Sequence, residues 1–284
     1  MNWIPRFLRR RPRARCLPLV VSLVGGRSGL EVGGPSTVFG GRRGILPIYP
    51  EVGDLDNCNF SSQTAWNEHV EGATFVYEKG RAPGQQVIAE ASDLATIPAA
   101  RYGFLLSSHA LEHCANPLKA LGEWLRVLEE GGTLVLLLPH REGTFDHRRP
   151  VTPLEHLVAD AAAGVGEDDM THLEEILALH DLALDPGGGT PEQFRKRSAK
   201  NVENRCFHQH VFDTRAMVKL LDHIGVQLLA VETMQPFHVI AVARKLPPGS
   251  RPDNRAFLAT GAAWVAASVF AGDRALGRAN PPGA

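Results

Sequence analysis

The sequence predicts an α/β protein in which helices cover both faces of an open, mostly parallel β-sheet. Short apolar segments alternate along the chain with segments whose apolar residues recur at helical spacing. Residues 133–139 (TLVLLLP) are continuously apolar, which is typical of a parallel strand that is buried on both faces. Ligands of such sheets bind outside the carboxyl ends of the strands, where the strand order reverses.

Apolar runs that end at glycines, acids or turn residues place the individual strands. The strands of the main sheet are predicted, in chain order, at residues 28–34, 53–57, 87–90, 102–108 and 133–139. A closing pair, one strand of which is antiparallel, follows at residues 226–233 and 238–245. Helices are predicted at residues 64–72, 111–128 and 213–225.

The bulk composition is that of an ordinary globular protein. The chain has 284 residues, of which 44% are hydrophobic and 21% are charged, so it can bury a substantial core. Its net charge of −1 gives no overall attraction to nucleic acid. The four cysteines are scattered and form no CxxC pair, so we expect reduced thiols and a cytoplasmic protein.

Two terminal segments flank the predicted main domain, residues 25–245. Residues 1–24 form a basic and apolar arm, and organelle targeting or peripheral membrane contact through it stays an alternative. Residues 246–284 form a linker and an alanine-rich tail. The uncharged part of this tail is shorter than the roughly 20 residues of a bilayer span, so we expect no stable membrane span. The tail packs either on the domain or on a second copy, which leaves a homodimer open.

Four stretches of the chain carry a resemblance to a known family. They are GLEVGGPS at residues 29–36, DLDN at 54–57, EASDL at 90–94 and SSHALEHCANPLKALGEWLRVLEEGGTLVLLLP at 107–139. Together they resemble a class I S-adenosylmethionine-dependent methyltransferase, and the last stretch is the most specific. The resemblance implies a Rossmann-like, doubly wound fold with a helical insertion, S-adenosylmethionine as the cofactor, and methyl transfer as the activity.

The glycine stretch and the acid after it are the first candidate cofactor ligands. Glu31 is placed to bind the ammonium group of the cofactor, directly or through water. Gly33 and Gly34 allow close approach of the backbone, because they have no Cβ. Asp56 is predicted to accept hydrogen bonds from both ribose hydroxyls at the end of the second strand, and Asp54 is its alternative.

Further cofactor contacts are expected from two later strands. The resemblance implies that Asp93, with its neighbour Leu94, binds the adenine amine. Residues Ser107, Ser108 and His109, at the end of the fourth strand, are expected to line the methionine side and the methyl group.

The glycine loop departs from the family pattern at Pro35 and Thr37, where further glycines are usual. Proline donates no N–H, so this loop would hold a pyrophosphate poorly. The departure therefore counts against a nicotinamide or flavin dinucleotide more than against a cofactor that has no phosphate.

A hydroxyl acceptor needs a base, and histidine is the natural side chain for that role. His113 lies beside the expected methyl position, where the helix dipole disfavours the imidazolium, although a structural role in the turn is the alternative. His147, in the loop after the fifth strand, is the second candidate base. Arg148 and Arg149 could bind a carboxylate or phosphate of the acceptor, or could form internal ion pairs.

Residues 151–210 are predicted to form a helical insertion that acts as a lid over the acceptor pocket. This part of the chain is rich in histidine, and His172, His180, His208 and His210 raise the question of a metal site. The spacing of these histidines fits no standard zinc motif, so we expect no metal, and the question stays open.

The acceptor is expected to be a sugar, a glycan or another small metabolite, because histidine, arginine and asparagine suit an acceptor with several hydroxyls. Nucleic acid is not expected, since the aromatic residues do not interleave with lysine or arginine. Two other functions stay open: a non-catalytic S-adenosylmethionine-binding relative that acts as a regulatory partner, and a nicotinamide-dependent Rossmann oxidoreductase.

Overall fold

A computed structural model of the chain describes residues 12–41, 44–62, 73–185 and 187–278. Eight strands in these ranges form a single sheet. In chain order they are β1 (Ser28–Val32), β2 (Asp54–Asn59), β3 (Thr74–Phe75), β4 (Gly84–Ile88), β5 (Tyr102–Ser108), β6 (Leu128–Pro139), β7 (Gln227–Met234) and β8 (His238–Arg244). Their order across the sheet is β3-β4-β2-β1-β5-β6-β8-β7.

The inner strands are parallel, and both edges of the sheet are antiparallel. β4, β2, β1, β5 and β6 pair in parallel. β8 lies antiparallel between β6 and β7, and the two-residue β3 pairs antiparallel with β4. The strand order reverses between β1 and β5, since β1 leads outward to β2 and β5 leads outward to β6. The predicted Rossmann-like, mostly parallel sheet with an antiparallel closing strand is therefore confirmed.

Helices cover both faces of the sheet and divide the core into two layers. The helices of the described ranges are α1 (Leu17–Val24), α2 (Pro117–Val127), α3 (Leu154–Ala163), α4 (Leu173–Leu179), α5 (Pro191–Ser198), α6 (Asn201–Asn204), α7 (Thr214–His223), α8 (Arg255–Leu258), α9 (Ala263–Ala267) and α10 (Ala271–Arg278). Buried side chains of α2 and α7 pack with Leu105 of β5 in one layer. Those of α1 pack with the next residue, Leu106, in the other layer, because side chains alternate along a strand.

Several predicted elements differ from the structure in their bounds, and one falls outside it. The helix expected over residues 111–128 begins only at Pro117, after a separate 3₁₀ turn at Leu111–His113. The side chain of Asn116 accepts a hydrogen bond from the Lys119 amide at 3.0 Å, and this cap fixes the start of α2. The third strand begins at Gly84 rather than at residue 87. The helix predicted at residues 64–72 lies outside the described residues.

The segments at both ends of the described chain pack on the sheet. Val20 and Val24 of α1 are fully buried, and Trp264 and Val265 of α9 belong to the main core. The carboxylate of Asp273 is also buried, and it accepts hydrogen bonds of 2.6 Å from the hydroxyls of Thr214 and Ser268. Residues 255–278 therefore form part of the folded unit. No helix in the described ranges is both long and apolar enough to cross a membrane.

We expect Asp273→Ala to lower the free energy of unfolding by about 3 kcal/mol, because two charge-assisted hydrogen bonds are lost and buried hydroxyls are left without an acceptor. Chemical denaturation followed by circular dichroism measures this change. Asp253→Ala is the matched control, since the carboxylate of Asp253 is exposed and pairs with the nearby Arg255. Equal stability of the two variants would show that the C-terminal segment does not contribute to the folded unit.

Candidate active site

A cleft lies where the parallel strands β1, β2, β4 and β5 end at one edge of the sheet. It encloses about 580 Å³, open solvent included. Residues that follow each of these strands line it, among them Gly33, Asn59, Glu90 and His109. The cleft therefore occupies the position at which open α/β sheets bind their ligands.

Gly33 lines the cleft, and only glycine fits there. Its φ of +87° lies in the left-handed region, and a Cβ on it would come within 2.8 Å of the Ala110 Cβ. Gly34 is needed for a different reason, since its Cβ would lie 2.4 Å from the Glu31 carboxylate. Gly34 thus keeps the loop close to Glu31, behind the surface of the cleft.

Glu31 lies beneath the glycine loop and is fully buried. Its carboxylate accepts hydrogen bonds from the Tyr49 hydroxyl at 2.7 Å and from the Ser36 amide at 3.1 Å. Burial raises the pKa of Glu31 to about 8. The predicted contact with the cofactor ammonium does not fit this position, and Glu31 instead holds the loop in place.

The prediction that Asp56 lies at the end of the second strand is wrong. β2 continues to Asn59, so Asp56 lies in the middle of the strand, and its carboxylate accepts hydrogen bonds of 2.8 Å from the Tyr102 hydroxyl and the Gln85 amide. The alternative, Asp54, begins the strand and is exposed. Asn59, whose amide donates to the Gly34 carbonyl at 2.9 Å, takes the position at the strand end.

The predicted adenine contacts, Asp93 and Leu94, also lie away from the lining of the cleft. Asp93 is exposed and accepts a hydrogen bond from the Ala95 amide, and Leu94 is fully buried in the core. Because β4 ends at Ile88, the acid that reaches the cleft is Glu90. The prediction ended the third strand at Glu90 but passed over this residue, because the resemblance to the family pointed to Asp93.

Two residues of the helical insertion close one side of the cleft. The guanidinium of Arg205 lies 2.7 Å from Glu90 and 3.6 Å from Glu167, and it stands over the ring of Phe60 at 5.2 Å. Glu167 also accepts a hydrogen bond from the Ala115 amide at 3.3 Å. These contacts join the insertion to the ends of β2 and β4, and Glu167 was not among the predicted site residues.

A second, larger pocket of about 1260 Å³, open solvent included, adjoins the cleft. The two share Gly33, His109 and His113 as lining residues. The rings of Phe145 and Phe237 line the larger pocket. The cleft and the pocket therefore meet at the turn that follows β5 and contains His109 and His113, which we call the histidine-rich turn.

A buried carboxylate with three histidines around it occupies this junction. Oε1 of Glu112 lies 3.7 Å from Nδ1 of His109, 4.0 Å from Nε2 of His113 and 3.9 Å from Nε2 of His208. Neither oxygen of Glu112 has a hydrogen-bond partner among the described residues. Burial raises the pKa of Glu112 to about 7 and lowers that of His113 to about 3. His113 is thus neutral, as predicted, but burial rather than a helix dipole is the main cause.

The residues at the end of β5 are divided between the core and the pocket. His109, with a φ of +56°, lies 2.8 Å from His238 through their ring nitrogens and packs edge-on against Phe237. Ser108 lines the larger pocket, and its buried hydroxyl has no hydrogen-bond partner in the described part of the chain. Ser107 is fully buried and lines neither cavity.

The second predicted base, His147, lies outside both cavities. Its ring nitrogen and the guanidinium of Arg148 both bind the carboxylate of Asp181, at 2.9 and 2.8 Å. Arg149 is buried and pairs with Asp146, so it does not reach an acceptor. The alternative interpretation of this loop, internal ion pairs, therefore describes it better.

The pKa of Glu31 gives a test of this packing. Because its folded pKa of about 8 exceeds the ordinary 4.5, the folded state keeps a proton that the unfolded chain loses. The free energy of unfolding therefore falls as pH rises between these values, by up to about 1.4 kcal/mol per unit. Glu31→Gln removes this dependence, so we expect the variant to gain stability relative to the native protein between about pH 5 and pH 8.

Urea unfolding across this pH range measures the difference, with Glu51→Gln as the exposed control. If the profile of Glu31→Gln ran parallel to that of the native protein, Glu31 would not be a buried, proton-binding group.

Among the comparisons with known proteins, one family match indicates a function. The methyltransferase domain family matches residues 66–136, which contain β4, β5 and the histidine-rich turn. The curated proteins give no match. Similar solved structures include S-adenosylmethionine-dependent methyltransferases from Aquifex aeolicus (14% identity, 81% of this chain and 88% of that chain covered, TM-score 0.43) and Methanosarcina mazei (14%, 81% and 97%, TM-score 0.44).

These sequence identities and TM-scores are too low to support an argument about function. The fold is assigned from the order of the strands in the sheet. The domain match covers the turn that carries His109 and His113. It supports the predicted enzyme class, that of a methyltransferase.

Proposed function

We propose that this protein transfers the methyl group of S-adenosylmethionine to a hydroxyl of a neutral small molecule such as a sugar. The observation that carries the proposal is the junction between the two cavities, at Gly33, His109 and His113. A methyl donor in the cleft and an acceptor in the larger pocket would meet there. Such a reaction needs donor and acceptor held in line at near-contact distance, which two adjoining cavities provide.

The lining of the cleft fits this cofactor. S-adenosylmethionine carries two cationic groups and no phosphate, and when bound it supplies an electrophilic methyl group. The cleft offers two carboxylates, Glu90 and Glu167, beside the open backbone at Gly33. Pro35 takes an N–H away from the loop, which would weaken a pyrophosphate site but does not affect a cofactor without phosphate.

A hydroxyl acceptor must lose its proton, and the junction holds groups that can take it. His113 is the assigned base, because it lines both cavities and lies within 4.0 Å of a carboxylate, that of Glu112. His109 is the second histidine at the junction, and its Nδ1 lies 3.7 Å from the same carboxylate. The negative charge of Glu112 would stabilise a histidine that has taken up the proton.

The larger pocket favours a neutral acceptor with apolar faces. Phe145 and Phe237 supply aromatic surface, while Ser108 and Thr144 supply hydroxyls. No lysine or arginine of the described ranges lines this pocket, so an acceptor with a phosphate or carboxylate would find neither side chain there to pair with. A sugar or another neutral polyol combines hydroxyls with apolar C–H faces and fits this lining.

We further propose that the insertion, residues 151–210, acts as a lid. Glu167 and Arg205 line the cleft, while Leu184 and His208 line the larger pocket. One segment thus contributes to both cavities at their junction. A cover of this kind excludes water from the junction and strengthens the electrostatic interactions within it.

Calorimetric titration tests the cofactor assignment. We expect S-adenosylmethionine and its demethylated product to bind and NAD not to bind. Glu90→Ala should weaken binding about tenfold, equivalent to about 1.4 kcal/mol, because one charged contact is lost. Asp93→Ala, three residues along the same segment but exposed, should have no effect. Binding of NAD as tight as that of S-adenosylmethionine would instead favour an oxidoreductase.

Transfer of a labelled methyl group to a panel of sugars and other neutral polyols tests the catalytic assignment. His113→Gln should lower kcat by about 100-fold or more, the usual contribution of a general base, and change the affinity for S-adenosylmethionine little. His147→Gln is the control and should keep full turnover, since His147 lies outside both cavities. If both variants turned over equally, His113 would not be the base. Cofactor binding without transfer to any acceptor would favour a regulatory, non-catalytic protein.

A further inference from the structure

A second cluster of histidines lies outside the two cavities, at the base of the insertion. His156 belongs to α3, His172 precedes α4, and His210 belongs to the segment before α7. One ligand atom from each of these three side chains lies within 4.8 Å of the other two. The carboxylate of Asp160, one turn after His156 on α3, also faces this cluster.

We propose that His156, His172 and His210, with Asp160, form a structural zinc site that fastens the insertion to the methyltransferase core. Two of the distances fit a tetrahedral ion. The Nε2 atoms of His156 and His172 are 3.2 Å apart, and Oδ2 of Asp160 lies 3.3 Å from the former. Zinc bonds to nitrogen and oxygen of 2.0–2.2 Å place two ligands of a tetrahedron about 3.3–3.5 Å apart.

The hydrogen bonding of His210 is that of a metal ligand. Nε2 of His210 lies 3.1 Å from the Ala115 carbonyl, to which it donates, so Nδ1 carries the lone pair. The side chain is buried, and its Nδ1 has no hydrogen-bond partner among the described residues. Histidines that bind metals commonly donate the other ring N–H to a backbone carbonyl in this way.

Oδ2 of Asp160 gives a second, independent indication of a cation. This buried carboxylate oxygen lies within 3.8 Å of two of the histidine rings but makes no hydrogen bond to any described residue. A carboxylate oxygen without a donor is costly unless a positive charge lies beside it. Three imidazoles and one carboxylate form a donor set that suits zinc.

The site would act on the core through backbone contacts. The amide of His210 donates to the Glu112 carbonyl at 3.2 Å, and its ring donates to the Ala115 carbonyl. Both carbonyls belong to the segment between β5 and α2, which includes the histidine-rich turn. An ion bound to His210 would therefore also order the turn at the junction of the two cavities.

Zinc content of the purified full-length protein tests the site. After removal of metal with a chelator and addition of ZnCl₂, we expect one tightly held zinc ion per chain, measured by competition with a chromophoric chelator. His172→Ala and Asp160→Asn should weaken this binding at least about 100-fold, since the loss of even an outer partner costs 10–100-fold. His223→Ala, an exposed histidine of α7, is the matched control and should bind zinc like the native protein.

Two further measurements use the native protein, so they test the site even if a variant folds poorly. The absorption spectrum of the native protein with Co²⁺ in place of zinc should be that of a tetrahedral site, and zinc should raise the melting temperature of the native protein but not that of Asp160→Asn. Failure of the native protein to bind zinc more tightly than Asp160→Asn overturns the proposal. Zinc that is kept by His172→Ala and lost by His208→Ala would lie at Glu112 instead, and would overturn it as well.

Discussion

The site depends on how closely the backbone at Gly33 approaches the turn that follows β5. A single Cβ at residue 33 would come within 2.8 Å of Ala110, so any other residue would push the loop and the turn apart. The parallel pairing of β1 with β5 brings these two segments together at the same edge of the sheet. Gly33, together with His109 of this turn, lines both the cleft and the larger pocket.

A buried glutamate lies on each side of this contact. On one side, Glu31 is fully buried and binds the Tyr49 hydroxyl and the Ser36 amide, which fixes the glycine loop. On the other side, Glu112 is fully buried without a hydrogen-bond partner in the described residues, and three histidines surround it. The first glutamate therefore stabilises the loop, whereas the lack of a donor to the second supports the role in proton transfer proposed above.

The sequence predicted the sheet, the glycine loop and the histidine-rich turn because these depend on local signals. Continuous apolar runs marked the central strands, and the glycines at residues 33 and 34 marked the loop. The two acids were misassigned for different reasons. The second strand was predicted to end at residue 57, but β2 continues through polar residues to Asn59, so Asp56 does not lie at its end. Asp93 was assigned from the resemblance to the family, and it does not line the cleft.

Long-range contacts could not be predicted in the same way. The zinc ligands proposed above come from three elements and share no motif spacing, and the fold alone brings His156, His172 and His210 together. The pairing of Arg205 with Glu90 joins residues 115 positions apart. Neither arrangement leaves a periodic signal in the sequence, since each depends on how the insertion folds back over the sheet.

The contact between the insertion and the histidine-rich turn joins the two proposed sites through one residue. The side chain of Glu112 faces His113 and His208, while its carbonyl accepts the hydrogen bond of the His210 amide at 3.2 Å. A shift of His210 therefore moves the backbone that carries Glu112, and with it the carboxylate at the junction. Glu112 lines the larger pocket, so such a shift changes the geometry at the junction of the two cavities. A metal ion at the base of the insertion would thus control the geometry of proton transfer without contacting either the cofactor or the acceptor.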